Sequence, residues 1–134
     1  MAIDYTAHPR PFGLAYLLLE HGINVKKVYA DSVSLEEEPA FGLLKEKYPD
    51  LLIEATIAPG CRVSERLDGD YLAIGQKAAW FCGTKHFVNI IEAKGLYGYK
   101  GLIRLTELIK DAYDNESDTE DIVPRKGLGC VSCI

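Results

Sequence analysis

Three short stretches have residue types and spacing that could do chemistry. Gly75-Gln76-Lys77 stands where an apolar run hands over to a helical one. The first N–H groups of a helix lack intrahelical partners and its dipole favours an anion, to which Lys77 adds charge. The same residues also read as a tight turn followed by an exposed first-turn lysine. Gly95-Leu96-Tyr97-Gly98-Tyr99-Lys100-Gly101 spaces Gly98 and Gly101 three apart. That spacing lets the backbone approach a ligand, a cluster or a facing helix, or else makes a turn packed beneath Tyr97 and Tyr99. His8, in Ala7-His8-Pro9-Arg10, has a cationic neighbour, so the pair reads as an anion-holding loop or as an exposed turn.

The cysteines are fewer than their spacing first suggests. Cys130-x-x-Cys133 has the separation of half a metal site or of a redox pair, but no second pair or histidine pair completes a tetrahedral site, and the two also read as inert thiols. Cys61 follows an apolar run at the Pro59-Gly60 turn, where a ligand, a nucleophile or a plain structural thiol fits. Cys82 lies beside Trp80 and Phe81 in an apolar helical stretch and reads as a core thiol. Four cysteines in 134 residues are too sparse for a disulfide scaffold. No G-x-G-x-x-G follows an apolar run, no Walker loop is present, and no Ser-His-Asp or Cys-His set can be assembled. His21 and His86 read as structural.

These residues need elements to place them. Ile3 to Ala7 is extended and ends at two prolines; from Phe12 the spacing of Leu14, Leu17, Leu18 and His21 is helical, with Gly22 as its stop. Ile23 to Tyr29, Leu51 to Ile57, Asp70 to Ile74 and Phe87 to Ile91 read as further strands. Glu36 to Tyr48 and Gln76 to Cys82 read as helices. A final, longest helix buries Leu102, Leu105, Ile109 and Ala112. Alternation of short apolar strands with helices predicts an α/β fold. Its Rossmann-like open, mostly parallel sheet has about five strands, with helices on both faces. Ligands of such sheets bind at the strands' carboxyl ends, here the loops 7–11, 30–34, 58–62, 74–77 and 92–99.

Composition sets the outer bounds. With 48% apolar and 26% charged residues the chain is of ordinary globular type. Residues 1–110 carry 13 basic against 14 acidic side chains, whereas 111–134 carry 2 against 6. A near-neutral body with an acidic end lacks the basic stripe of a nucleic-acid binder. No run approaches the roughly 20 apolar residues of a membrane span, and Asp4, His8 and Arg10 interrupt any secretory leader. The cytoplasm is the expected compartment. The expected division is a domain at 1–113 and a flexible acidic, cysteine-containing tail at 114–134.

The run Asp70-Tyr71-Leu72-Ala73-Ile74-Gly75-Gln76-Lys77, then Cys82-Gly83, then Gly95 to Gly101, resembles the carboxyl-terminal domain of nitrogenase component 1-type oxidoreductases. That family includes the chains of the molybdenum–iron protein, their cofactor-assembly scaffold and the dark-operative protochlorophyllide reductase. Its members show a strand, a Gly-x-[Glu/Gln]-Lys-like helix start, a glycine near that helix end, another strand, and a Gly-Tyr-x-Gly opening a long helix. The likeness spans about residues 70 to 113, and the units at 1–60 fit more loosely.

The resemblance implies a domain fragment forming one wall of a metal-cluster or substrate cleft. Gly75, Gln76, Lys77, Asn89 and Glu92 would border it, with Gly95, Tyr97, His8 and Arg10. It implies an iron–sulfur or related cluster in the parent protein and none held by the chain alone. The implied partners are other domains of the parent chain, a paired component 1 subunit and an ATP-dependent iron protein, and the isolated domain would not turn over. In the family's molybdenum–iron catalytic chain a histidine ligates the cofactor just before the glycine turn. Residues 88–94 here, Val-Asn-Ile-Ile-Glu-Ala-Lys, contain none, which points to a nitrogenase-like reductase, a scaffold or another paralogue. Two alternatives stand beside this: a stand-alone module for a small anionic ligand, and an assembly protein using Cys130 and Cys133.

Overall fold

The computed structural model describes residues 1–63 and 70–117. Five strands, β1 (Ala2–Asp4), β2 (Lys27–Tyr29), β3 (Leu52–Glu54), β4 (Ala73–Ile74) and β5 (Phe87–Val88), form one sheet in the order β3-β2-β1-β4-β5. All four pairings are parallel; Ile3 lies opposite Val28 on one side and Ile74 on the other. The helices are α1 (Pro11–Glu20), α2 (Glu38–Lys47), α3 (Pro59–Val63), α4 (Gln76–Cys82) and α5 (Gly98–Asp114), with a 3-10 turn at Glu92–Gly95. The strand order reverses beside β1, which makes this an open, doubly wound α/β sheet of Rossmann-like type.

Successive strand residues point to opposite faces, and the core divides accordingly. Ile3, Val28, Ile74 and Val88 face one layer, where they pack against α1, α2 and α5 through Phe12, Leu18, Leu44, Leu105 and Ile109. Ala2, Tyr29, Ala73 and Phe87 face the other, against Cys61 of α3 and Ala78, Ala79 and Cys82 of α4. Helices on both faces leave the strand ends as the places where polar groups meet water. Among the described residues no helix is long and apolar enough to cross a membrane.

The strands are shorter than the apolar runs that contain them. Of Ile23 to Tyr29 only the last three residues join the ladder, and of Phe87 to Ile91 only the first two. The remaining apolar residues, such as Val25 and Ile90, are buried from loops instead. The long helix buries Gly101, Leu105, Ile109 and Ala112, with Leu102 only partly covered. It runs through Asp114, and the Ser117 N–H donates to the Lys85 carbonyl at 2.7 Å, so the chain up to 117 stays against the start of β5.

Candidate functional site

The carboxyl ends of β1, β4 and β5 converge, and the first thing found there is a buried carboxylate. Asp4 ends β1 with its side chain wholly buried. Its Oδ1 accepts the N–H groups of Thr6 (2.8 Å) and Ala7 (3.1 Å), and its Oδ2 accepts that of Ala78 (2.8 Å) in the first turn of α4. An acid of the chain itself therefore sits where the sequence suggested an external anion. Burial pushes the Asp4 carboxyl above its ordinary value, and the bonds from Thr6, Ala78 and Ala7 pull against that.

The side chains flanking Gly75 are likewise committed inward. Gln76 is buried and its amide donates to Asn89 Oδ1 at 2.6 Å. The Lys77 ammonium donates to the Tyr5 hydroxyl and lies 4.3 Å from that ring's centre. Asp31, just after β2, accepts the N–H groups of Thr56 (2.6 Å) and Ile57 (3.1 Å) and the Thr56 hydroxyl. A second helix is also capped from a distance: Glu37, buried, accepts the Phe12 and Gly13 N–H groups at 2.9 and 3.0 Å at the start of α1. Two helix starts at this edge thus carry their own carboxylates.

A cleft of about 410 Å³ lies on the α1 and α5 side of the same edge. His8, Arg10 and Tyr97 border it, over a floor that includes Leu14, Ile90 and Leu105. His8 accepts the Arg10 N–H at Nδ1 (3.1 Å), which leaves Nε2 as the protonated nitrogen. Burial and the neighbouring Arg10 charge hold this imidazole below its ordinary pKa, so it is a neutral donor near pH 7. Arg10 pairs with Glu36 at 2.9 Å through one terminal nitrogen. Tyr97 and Tyr99 stand at the rim, 64% and 89% exposed.

The turn that follows β5 is backbone under strain. Glu92, Ala93 and Lys94 all have positive φ (50°, 57° and 44°), a conformation L residues seldom adopt in series. It is held by the β1–α1 loop: the Glu92 and Ala93 N–H groups donate to the Thr6 and Ala7 carbonyls at 2.8 and 2.7 Å. Gly101 is the residue the next helix needs here, because a Cβ would lie 2.8 Å from the Leu96 carbonyl oxygen. The close approach offered by the glycine pair is therefore made, at least at Gly101, to the chain's own turn.

The candidates from sequence thus divide. His8, Arg10 and Tyr97 share the cleft; Glu92 and Gly95 belong to the strained turn and do not line it; Gly75, Gln76 and Lys77 start α4, with Asn89 bonded to Gln76. Cys61 is buried in the layer against α4, away from the cleft, with its thiol pushed up to about 11 mainly by burial. Cys130 and Cys133 lie outside the described residues. Among the described residues no group of three or more His, Cys, Asp or Glu side chains is placed to hold a metal ion. The cleft lining has no cysteine and one histidine, His8, whose Nδ1 is taken by the Arg10 N–H, so these walls do not fit an iron–sulfur cluster on their own. Asp4 and Glu37 escaped the sequence reading. Asp4 had one faint signal, a lone acid in an apolar strand; Glu37 is indistinguishable from Glu36 and Glu38 beside it.

Compared with protein-family models, with curated proteins and with solved structures, the chain has no match.

Proposed function

We propose that the chain is the carboxyl-terminal Rossmann-like domain of a nitrogenase component 1-type oxidoreductase, contributing one wall of a substrate or cluster cleft. The supporting observation is the half-built cleft at the switch edge of the sheet: an apolar floor, exposed tyrosines at its rim and a single histidine, His8. Such a surface suits a site whose opposite wall and metal ligands come from another domain. Asn89 or Glu92 stands in the neighbourhood where the molybdenum–iron catalytic chain is expected to carry its histidine, and the Asn89 carbonyl is taken by Gln76. This favours a reductase or a scaffold over a protein that holds the cofactor in the standard way. The test is to isolate the native protein from its source with antibodies raised against residues 1–117, then measure its mass and iron content. A species several times heavier than 14.9 kDa that carries iron and labile sulfide supports the reading. A native species of 14.9 kDa without iron overturns it.

One observation favours a second reading, a small-anion module. No described side chain caps the start of α5, and Gly98 and Tyr99 of its first turn line the cleft together with His8 and Arg10. If the native chain is short, phosphate or a carboxylate binding there in calorimetry supports this reading, and absence of heat removes it.

A further inference from the structure

We propose that the trench between α1 and α5 binds a single-chain amphiphile, a long alkyl carboxylate, with its acid group at His8 and Arg10. Further apolar space adjoins the cleft. Leu17, Leu102 and Leu105 also line a second void of about 150 Å³, which continues to His21, Ile23 and Ile109. Ile23, Thr106 and Ile109 in turn border a third space of about 800 Å³ at the amino end of the sheet, beside Asn24, His86 and Lys110. The two helices rest on one sheet face, and the shared lining residues set the three spaces in succession along α5. The middle section, from Leu102 to Ile109, is about 11 Å long at the helical rise.

The shape and chemistry of that section select the occupant. It has the volume of about five waters, but water needs polar partners. Two polar side chains line it: the Thr106 hydroxyl donates to the Leu102 carbonyl (2.7 Å), and His21 Nδ1–H to that of Leu17 (2.8 Å). The rest of its lining, Leu17, Leu18, Ile23, Leu102, Leu105 and Ile109, is aliphatic and suits hydrocarbon. At the cleft end stand His8, whose Nδ1 accepts the Arg10 N–H and whose donor is therefore Nε2–H, and Arg10, which retains guanidinium donors beyond the nitrogen on Glu36. Those are donors for a carboxylate. The proposal rests on the cleft geometry and holds whether the native chain is long or short.

Calorimetry of the delipidated full chain with octanoate, decanoate and dodecanoate, all below micelle formation, tests it. Binding is expected to tighten about fourfold per added methylene. Decanol is expected to bind at least tenfold more weakly than decanoate, and Arg10→Gln to weaken the acid while leaving the alcohol unchanged. Leu102→Trp, filling the trench from α5, should abolish dodecanoate binding with the thermal transition retained; Leu17→Trp does the same from α1 should the first variant misfold. The proposal fails if affinity is independent of chain length or if decanol matches decanoate. It fails equally if a folded tryptophan variant binds as tightly as the parent. Acetate competing as well as dodecanoate would overturn it and leave the small-anion reading intact. The mass and iron content of the native protein bear on the redox reading alone.

Discussion

The Asp4 carboxylate fills the space that any side chain at position 75 would need. A Cβ on Gly75 would lie 2.6 Å from Asp4 Cγ and 2.8 Å from the Ala7 Cβ, and the residue's φ is +106°. Glycine here lets the strand end and the helix start close on each other, so that Asp4 reaches the Ala78 N–H. The cap of α4 and the turn before it are one arrangement.

Gly75→Ala is therefore expected to cost about 3 kcal/mol, from overlap and backbone strain together. Urea unfolding followed by circular dichroism measures it. A loss below about 0.5 kcal/mol would mean that Asp4 and Gly75 do not meet as described.

Two aspartates should respond to acid in opposite senses. Burial raises the Asp4 carboxyl above its ordinary 3.8, so the folded state holds that proton more tightly than the unfolded chain. Its contribution is complete below pH 3.8 and falls away as pH rises through the folded value. For Asp31 burial acts upward, but bonds from the Thr56 hydroxyl and the Ile57 and Thr56 N–H groups outweigh it and lower the carboxyl below 3.8. That contribution is present above 3.8 and is lost as pH falls through the lowered value. Carboxyl-carbon NMR titration should place Asp4 above 3.8 and Asp31 below it. Asp31→Asn should remove the acid-side loss alone, and both titrating on one side would refute this.

Lys94→Gly should stabilise the chain by about 0.5–1 kcal/mol. Lys94 is exposed, makes no buried contact and sits at φ 44°, ψ 39°, where glycine has no Cβ penalty. A higher midpoint in urea is the expected result. A lowered midpoint would contradict the left-handed turn at 92–95.

Lys27 and Glu54 form an ion pair between β2 and β3, with the lysine side chain 10% exposed. Removing one partner leaves a charge with little water, so Glu54→Ala is expected to cost about 3 kcal/mol. Replacing both by apolar residues, Lys27→Met with Glu54→Leu, should cost less than the single change. A double-mutant cycle by denaturant titration decides, and additive losses would show the pair uncoupled.

How much of this was legible in the residues follows the range of each interaction. Gln76 to Cys82 was readable to the residue because its punctuation is local: glycine before it, glycine after it, apolar spacing between. The parallel α/β class followed from the same kind of pattern. Strand lengths did not, because Val25 and Ile90 are as apolar as strand residues although loops bury them. Nothing in Glu92-Ala93-Lys94 marks a left-handed turn; the Thr6 and Ala7 carbonyls impose it from another part of the chain. Asp4 is a similar case. Its role exists only because β1 lies beside β4, and no residue near Asp4 in sequence records that. The candidate site was thus half readable: the loops were, but not which of their polar groups were already satisfied by one another.

The strand order has a consequence for assembly on the ribosome. β1 is the first of the five strands to emerge and ends in the middle of the sheet, so only one of its flanks can be satisfied early, by β2. The other must wait until Ala73 and Ile74 have been made. Asp4 waits equally long for Ala78. A nascent chain halted between β3 and β4 carries an open seam along its central strand with a bare carboxylate at the end of it. That intermediate is where holding by a chaperone, or mispairing with another nascent copy, has the most to act on.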